Sequence, residues 1–574
     1  MDRKSFLAMI IVALIIVLMP YYNEYVLGIK PEQKVEKPQS APAMQEPVKK
    51  NIPQTEVIKE AKVVEADKKI ETLENIQGDS TEKVIRIMTD KYNLEISNRG
   101  GGSLLHYQLT QYKKYDSSLV ELVSEKFKNG FNISFQDIDG NFIKLDKQLF
   151  SIEASNNYNL SGEDSLVLEF SIDINNSKFV KRFTFYNHRY HFNLGISVSH
   201  PENIFLNRSY QLEWKNGLPA TEAYIEDDYT YNEAFAYMAD ELESYKVDEE
   251  GVAEPMELSG FAEWIAVRNK YFVSAIVASD ANVSEGVFFK GYGVMVNEIL
   301  YKYYDTGYYV KAGKEDKFSI YIGPLDYKEL AHYDNSLDQL IMSDGWSVFR
   351  PISRYLILPV LEWLNSFIPN YGVVIIIFSI LVKLVLFPLT KHSYQSTKKM
   401  QKMQPLMAEI KEKYKNDQQR QQKEMMKLYK THGNPMSGCL PMFLQMPLLF
   451  ALYQVFKSTI QLRGAMFIPG WINDLSTSEA LFMLPVSLPF YGNEFNLLPV
   501  LMAITMFFQS KMTMQDPKQK SMMYIMPIFM LVLFNRFPSG LNLYYTLFNV
   551  LTIIQQKYIH VDDEEEKPVK KKKK

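Results

Sequence analysis

The residues best placed to do chemistry in this chain are polar groups set inside apolar helices. In FSILVKLVLFPLT, residues 378–390, the only charge is Lys383. With YGVVIII before it, the apolar segment runs about 19 residues, enough to cross a bilayer. A lysine near the centre of such a span costs roughly 2.5–3.5 kcal/mol. Kept there, it can attract an anionic or polar partner. Ser379 lies one turn earlier. Gln445, Gln454 and Ser458 fall on the next apolar segment, and Thr505 and Gln509 on the one after. In SGLNLYYTLFNVLTIIQQ, residues 539–556, Asn542, Tyr545, Asn549 and Thr552 recur at helical spacing on one face, and Tyr544 starts the neighbouring face. Polar stripes in spans face a bundle interior or a water-filled cavity, and some are interhelical hydrogen bonds. Snorkelling is the simpler use of the lysine. Lys391, at the basic end of the segment, is roughly 12 Å away along the helix, a long reach for one side chain. A hydrated cavity around Lys383 accounts for it better.

Other chemistries find little support. Phosphate-loop, nucleophile-elbow and zinc-protease motifs do not occur. The single cysteine, Cys439, excludes a disulfide framework and a cysteine-built zinc site. His188 and His191, in NHRYH, have ligand-like spacing but sit in a strand-like run and read as surface and core histidines. No catalytic constellation and no cofactor are expected, so the chain does not read as an enzyme.

The elements that must position these residues follow from patterning. Residues 1–29 carry Arg3 and Lys4, an apolar run and then aromatics rather than a small-residue cleavage site. They read as an uncleaved signal anchor. Residues 30–83, rich in Lys, Glu, Pro and Gln, read as a disordered exported tether. From 84 to 342 the period is two: YHFNLGISV, residues 190–198, puts Tyr190, Phe192, Leu194, Ile196 and Val198 on one face. Asp139-Gly140 signals a two-residue hairpin, and Gly100, Gly101 and Gly102 break another strand pair. These point to a large antiparallel β-sandwich serving as scaffold or docking surface. Residues 343–368, with Arg350, Arg354 and Glu362 among apolar residues, read as an interfacial amphipathic helix.

Residues 369–560 hold five apolar segments, near 371–390, 438–460, 495–512, 521–537 and 539–557. With the anchor, the expected fold is a six-span α-helical polytopic membrane protein plus the β-sandwich. Basic loops at 391–430 and 511–520, and the charged tail 561–574, mark the cytoplasmic side, with both termini there. The loop 391–432 has its own helical pattern. Met400, Met403, Met407, Ile410 and Tyr414 step by three and four, Asn416-Asp417 supplies a turn, and Met425 and Tyr429 continue on a second helix. Pro405 kinks the first helix or marks its start. The lysines of this hairpin, Lys398, Lys399 and Lys402 among them, form a solvated face or a contact for anionic lipid or ribosomal RNA. Methionines such as Met446, Met502, Met523 and Met530 fill gaps or offer an adaptable apolar slide.

GNPMSGCLPMFLQMPLLFALYQVF, residues 433–456, and FPSGLNLYYTLFNVLTIIQQ, residues 537–556, closely resemble the signature spans of the YidC family, the bacterial membrane protein insertases. LVKLVLFPLTKHSYQSTKKMQKMQP and the hairpin after it do so too, and the order of anchor, tether, β-domain and interfacial helix is that of the Gram-negative members. The resemblance implies an inner-membrane protein with a periplasmic β-domain and a five-span insertase core. It implies insertion, folding and assembly of nascent membrane proteins, alone or beside the Sec translocon, with membrane lipids as surroundings. The monomer would suffice, and the basic tail offers a ribosome contact. Lys383 matches the family's groove charge by its spacing before Pro388, where many members have arginine. Ser379, Tyr544 and Tyr545 match further groove positions, and the hairpin matches the element that receives substrate. A secondary transporter is the competing class, but no repeated halves are visible.

Overall fold

The computed structural model describes residues 76–558, apart from 125–126, 128–129, 332, 334–335, 344–347, 433–439, 489–490 and 514–519. The anchor, most of the tether, Cys439 and the tail lie outside the described residues.

The first two-thirds is built from three sheets of nine, seven and five strands. Pairing is antiparallel apart from Val84–Met88 beside Asn157–Asn159. The strand His191–Val198 shows why the alternation was readable. Phe192, Leu194, Ile196 and Val198 are buried, while His191, Asn193, Gly195 and Ser197 are not. A period of two puts every second side chain into one core. Trp214, Trp264, Tyr308 and Tyr321 are among its largest members.

Two expectations change here. The stretch assigned to the tether ends earlier than residue 83. Ile76–Gln77 pairs with Ser165–Ile174, and Asn98 and Ser97 bind backbone and side chain at Thr81 and Glu82. A polar composition does not prevent a segment from adding to a sheet edge through its backbone. The Asp139-Gly140 turn is also longer than two residues. Gln136 pairs with Phe142, leaving a five-residue loop, 137–141. The Asp137 carboxylate accepts from the amides of Asp139 and Asn141, at 3.0 and 2.8 Å, which widens the turn. At the Gly100–Gly102 corner all three residues have positive φ, and a Cβ on Gly102 would lie 2.4 Å from the Phe183 ring.

Lys181 runs beneath that corner. Its ammonium is fully buried and donates to the carbonyls of Gly100 and Phe131, at 2.9 and 2.8 Å. Burial pushes its pKa down to about 7. An unfolded lysine titrates near 10.4, so between the two values the unfolded chain holds more protons. Stability of the β-domain therefore rises from pH 7 to pH 10 through this residue, by a few kcal/mol. Thermal unfolding across that range is expected to show a slope in wild type that Lys181→Met lacks. Identical pH profiles would remove the buried lysine from the account.

The short helix α1 (Ile225–Thr230) lies on the side of the β-domain that meets the helical bundle. The chain then enters the bundle through Arg350–Ile352, a π-type turn at Ser353–Ile357, and α2 (Leu358–Phe367). This segment is amphipathic, as its charges and spacing suggest. Tyr355, Leu356, Trp363 and Phe367 are exposed. Arg354 pairs with Asp338, and Glu362 with Lys328 at 3.4 Å. Its charges thus bind the β-domain rather than solvent.

Next come α3 (Tyr371–Lys402), α4 (Gln404–Lys413), α5 (Gln418–His432), α6 (Leu440–Ser458), α7 (Leu497–Thr513), α8 (Lys520–Phe534) and α9 (Ser539–Tyr558). Within α3, residues Tyr371–Pro388 have a mean hydropathy of 2.4 and suffice by length to cross a membrane; Leu497–Met512 and Met523–Phe534 are shorter apolar helices. The helix α3 continues past Thr390 to Lys402, so span and first hairpin helix are one rod. The break comes at Met403, where Pro405 opens α4 near its N-terminus. Asp417 caps α5, accepting from the Arg420 amide at 3.0 Å. In the bundle, α9 packs against α3 and α7, and α7 against α8.

Candidate functional site: a buried cation between two helices

The site is built where α3 crosses α9. Lys383 is 6% exposed, while its neighbours Leu384 and Val385 are 67% and 66% exposed. The helix therefore turns its charge inward and its apolar flank outward, the reverse of a water-soluble helix. The Lys383 ammonium donates to Thr552 Oγ1 at 2.7 Å and sits 4.3 Å from the centre of the Phe548 ring. The Tyr394 ring is 5.6 Å away. Thr552 in turn donates to the Phe548 carbonyl. None of α3, α6, α7, α8 and α9 carries an aspartate or glutamate.

Magnitudes explain why a cation is tolerated here. A hydrogen bond to a charged group contributes about 1.5–3 kcal/mol. A desolvated cation over a ring contributes about 2 kcal/mol. Together, at about 3.5–5 kcal/mol, they cover the roughly 2.5–3.5 kcal/mol that the charge costs within a span. The charge is held but not neutralised, and its field remains available to an acidic group.

Around it the polar stripe of α9 is buried as one face. Asn542, Tyr545, Asn549 and Thr552 are all buried, and so is Tyr544. Asn549 donates to Thr505 Oγ1 at 3.4 Å, tying α9 to α7. Asn542 donates to the carbonyls of Phe534 and Phe537 and so fixes the turn between α8 and α9. Ser379 is fully buried and donates to the Ile375 carbonyl of its own helix, at 2.7 Å. The rings of Phe378 and Tyr544 lie 6.1 Å apart, and Tyr544 and Tyr545 meet edge-on at 5.2 Å. The hydroxyls of Tyr544 and Tyr545 are buried without a hydrogen-bond partner among the described residues. Buried hydroxyls of that kind are expensive unless something polar visits them.

Other sequence-expected residues sit apart. Gln509 and Gln445 are half-buried on α7 and α6. Gln454 and Ser458 do not join Lys383 by any contact described. Gln454 binds the Met342 carbonyl at 2.9 Å and accepts from Ser353, so it anchors the β-domain and the entry segment to α6. In the cytoplasm-assigned hairpin Met403 and Met407 are buried and Met425 is half-buried. Lys398, Lys399 and Lys402 lie on the last turns of α3, with side chains outside the described residues. Sequence reading missed Tyr394 and Thr390. They lie eleven and seven residues after Lys383, which is the same helical face, and Thr390 accepts from Gln555 at 3.1 Å. Phe548 was passed over because an aromatic among apolar residues reads as core.

A second polar cluster joins the β-domain to the C-terminal end of α6. Asp227 on α1 pairs with Lys270 at 2.6 Å and with Lys457 at 3.2 Å. Glu222 pairs with Arg463 at 2.8 Å, and Arg463 also donates to the Lys113 carbonyl. Nothing in the sequence pattern signals this junction, because Lys457 and Arg463 lie more than two hundred residues from their carboxylate partners.

Comparison with known proteins places this arrangement. Residues 84–358 match the family described as YidC periplasmic domain, and residues 363–566 match 60Kd inner membrane protein. The membrane protein insertase YidC of Chlorobaculum parvum is 34% identical, over 98% of this chain and 96% of its own length. The chain belongs to the YidC membrane protein insertase family. A YidC from Chlorobium limicola is 33% identical over 98% of the chain and 95% of its own. A crystal structure of an active YidC insertase covers 85% of this chain and 95% of that one, at 19% identity and a TM-score of 0.35. Family membership makes this an inner-membrane protein, with the β-sheet region preceding the helical YidC core.

Proposed function

We propose that this chain inserts nascent membrane proteins into the inner membrane and that Lys383 receives the polar segment that must cross. The observation that carries the reading is the buried ammonium, held by a hydroxyl and an aromatic face in helices free of acidic residues. A cation so placed is short of a counter-charge. An acidic or polar exported segment supplies one, and the hydroxyls of Tyr544 and Tyr545 offer it further hydrogen bonds. The substrate's apolar helix then leaves along the third and fifth spans, α6 and α8, into lipid. Burial of that helix and the membrane potential, worth about 2.3 kcal/mol per charge per 100 mV, drive the step. No nucleotide is needed.

The same reading assigns six spans: the N-terminal anchor and α3, α6, α7, α8 and α9. Both termini and the α4–α5 hairpin are cytoplasmic, with Lys398, Lys399, Lys402, Met403, Met407 and Met425 meeting the incoming chain. The β-domain is periplasmic, and the Sec translocon and the ribosome are partners in a subset of insertions. The test is reconstitution. Purified protein in lipid vesicles, with a small membrane protein synthesised alongside, is expected to give protease protection of the exported end. Protection no greater than in empty vesicles, with the protein shown to be folded, would overturn the reading; solute uptake by the same vesicles would indicate a transporter.

A further inference from the structure

Between α6 and α7 the chain forms a small hairpin, Phe482–Leu488 paired antiparallel with Gly492–Phe495. Its sequence is unusual for an extramembrane loop. Leu481, Phe482, Met483, Val486 and Leu488 are 48–63% exposed, five large apolar side chains within eight residues. The root of the hairpin is fixed in height. Only Asn496 separates it from the first residue of α7. Asn496 donates to the Asn535 carbonyl, and Asn535, just beyond α8, donates to the carbonyls of Tyr491 and Glu494 at 3.0 and 2.9 Å. The patch therefore starts level with the ends of α7 and α8 that lie opposite their lysine-bearing ends. Those two helices expose apolar residues of their own, Ile504, Phe508, Ile528, Phe529 and Leu533. The hairpin also has a polar attachment. Glu494, opposite Met483, accepts from Tyr224 of the β-domain at 2.5 Å and from Ser478 at 2.7 Å.

We propose that Phe482, Val486 and Leu488 seat this hairpin among the acyl chains of the outer leaflet, making it a lipid-borne strut that also holds the β-domain through Tyr224. The proposal rests on α7 and α8 being membrane spans. Lipid fits the residues because they are apolar, uncharged and rooted one residue from a helix whose flank is itself exposed and apolar. The seat is shallow. A two-stranded hairpin has free edge amides and carbonyls, which hydrocarbon cannot satisfy. Pro485 removes one such donor. Side chains dip while the backbone stays at the headgroup boundary.

Nitroxide labels on single cysteines, introduced in a Cys439→Ser background, test this in the full chain reconstituted in lipid. Oxygen and a water-soluble nickel chelate then report depth. The oxygen-to-nickel accessibility ratio is expected to rank Asn493 lowest, Val486 between and Ile504 highest. Ile504 in lipid with Val486 equal to Asn493 would overturn the hairpin proposal and leave the spans intact. Ile504 open to nickel would overturn the spans and the proposal with them. A Val486 label shielded from both reagents would replace lipid with a protein surface, such as a second copy. Leu488→Cys serves if Val486→Cys does not fold, and the same ranking applies.

Discussion

Vesicles carrying Lys383→Ala will insert a substrate with an acidic exported segment roughly ten- to a hundredfold more slowly than wild type, the kinetic equivalent of losing one charge-assisted contact. A substrate whose exported segment is short and uncharged should be far less affected, because it makes little use of the field. Lys383→Met separates charge from bulk. It keeps the stem that packs between α3 and α9 and should be nearly as slow as alanine for the acidic substrate. Lys383→Arg keeps the charge and should remain active, although its planar fork cannot meet Thr552 and Phe548 in quite the way the ammonium does. Thr552→Val tests the hold on the charge. It leaves the ammonium with aromatic faces alone and should lower activity less than removing the charge. Protease protection of the exported end, followed over time for each variant and substrate, is the measurement. Equal rates for Lys383→Ala and wild type on the acidic substrate would return Lys383 to a packing or snorkelling role.

What the sequence made legible was whatever local periodicity encodes. Alternation along residues 190–198 reads as a strand because one buried face repeats every two residues, and the strand is there. The stripe Asn542, Tyr545, Asn549 and Thr552 reads as one face for the analogous helical reason, and that face is buried. Lys383 stood out because a charge in an apolar run is expensive. The failures share one cause, which is that tertiary partners were invisible. Gln454 reads only as one more polar residue on an apolar helix, and its use by the Met342 carbonyl is not visible there. Asp139-Gly140 carries a tight-turn signature, yet the Asp137 side chain rebuilds the loop. Residues 76–83 look too polar to fold, yet a sheet edge takes Ile76 and Gln77 through its backbone, and Ile76 packs against the core. Tyr394 and Thr390 were within reach of the seven- and eleven-residue periodicity of α3. Tyr394 was overlooked because the expected boundary at 391 cut one helix in two, and Thr390 because it closes the expected span.

Asp227→Asn is expected to loosen the β-domain from the bundle more than any other single change at the junction. Asp227 serves two lysines, and Lys270 among them is only 3% exposed. Removing one partner of a buried charge pair costs roughly 3–5 kcal/mol, mostly because the partner is left uncompensated. With Asp227 itself a third exposed, the lower end applies. Lys457→Met should do less, since the Asp227–Lys270 pair survives it. Hydrogen exchange in residues 457–463 and around 219–231 reads the effect directly: both segments should lose protection in Asp227→Asn, while the strand His191–Val198 keeps its own. The pH dependence has a definite sign. Burial alone would raise the Asp227 carboxyl, but the Lys270 and Lys457 ammonium groups outweigh it and hold its pKa below the usual carboxylate value. A carboxylate lowered in the folded state contributes stability above its unfolded pKa, about 3.9, and loses it only as pH falls through the lower folded value. The wild-type junction should thus be unchanged from pH 8 to pH 5 and open only in stronger acid. Undiminished protection of both segments in Asp227→Asn would show that the junction is held by Glu222–Arg463 and the apolar contacts around Tyr271 instead.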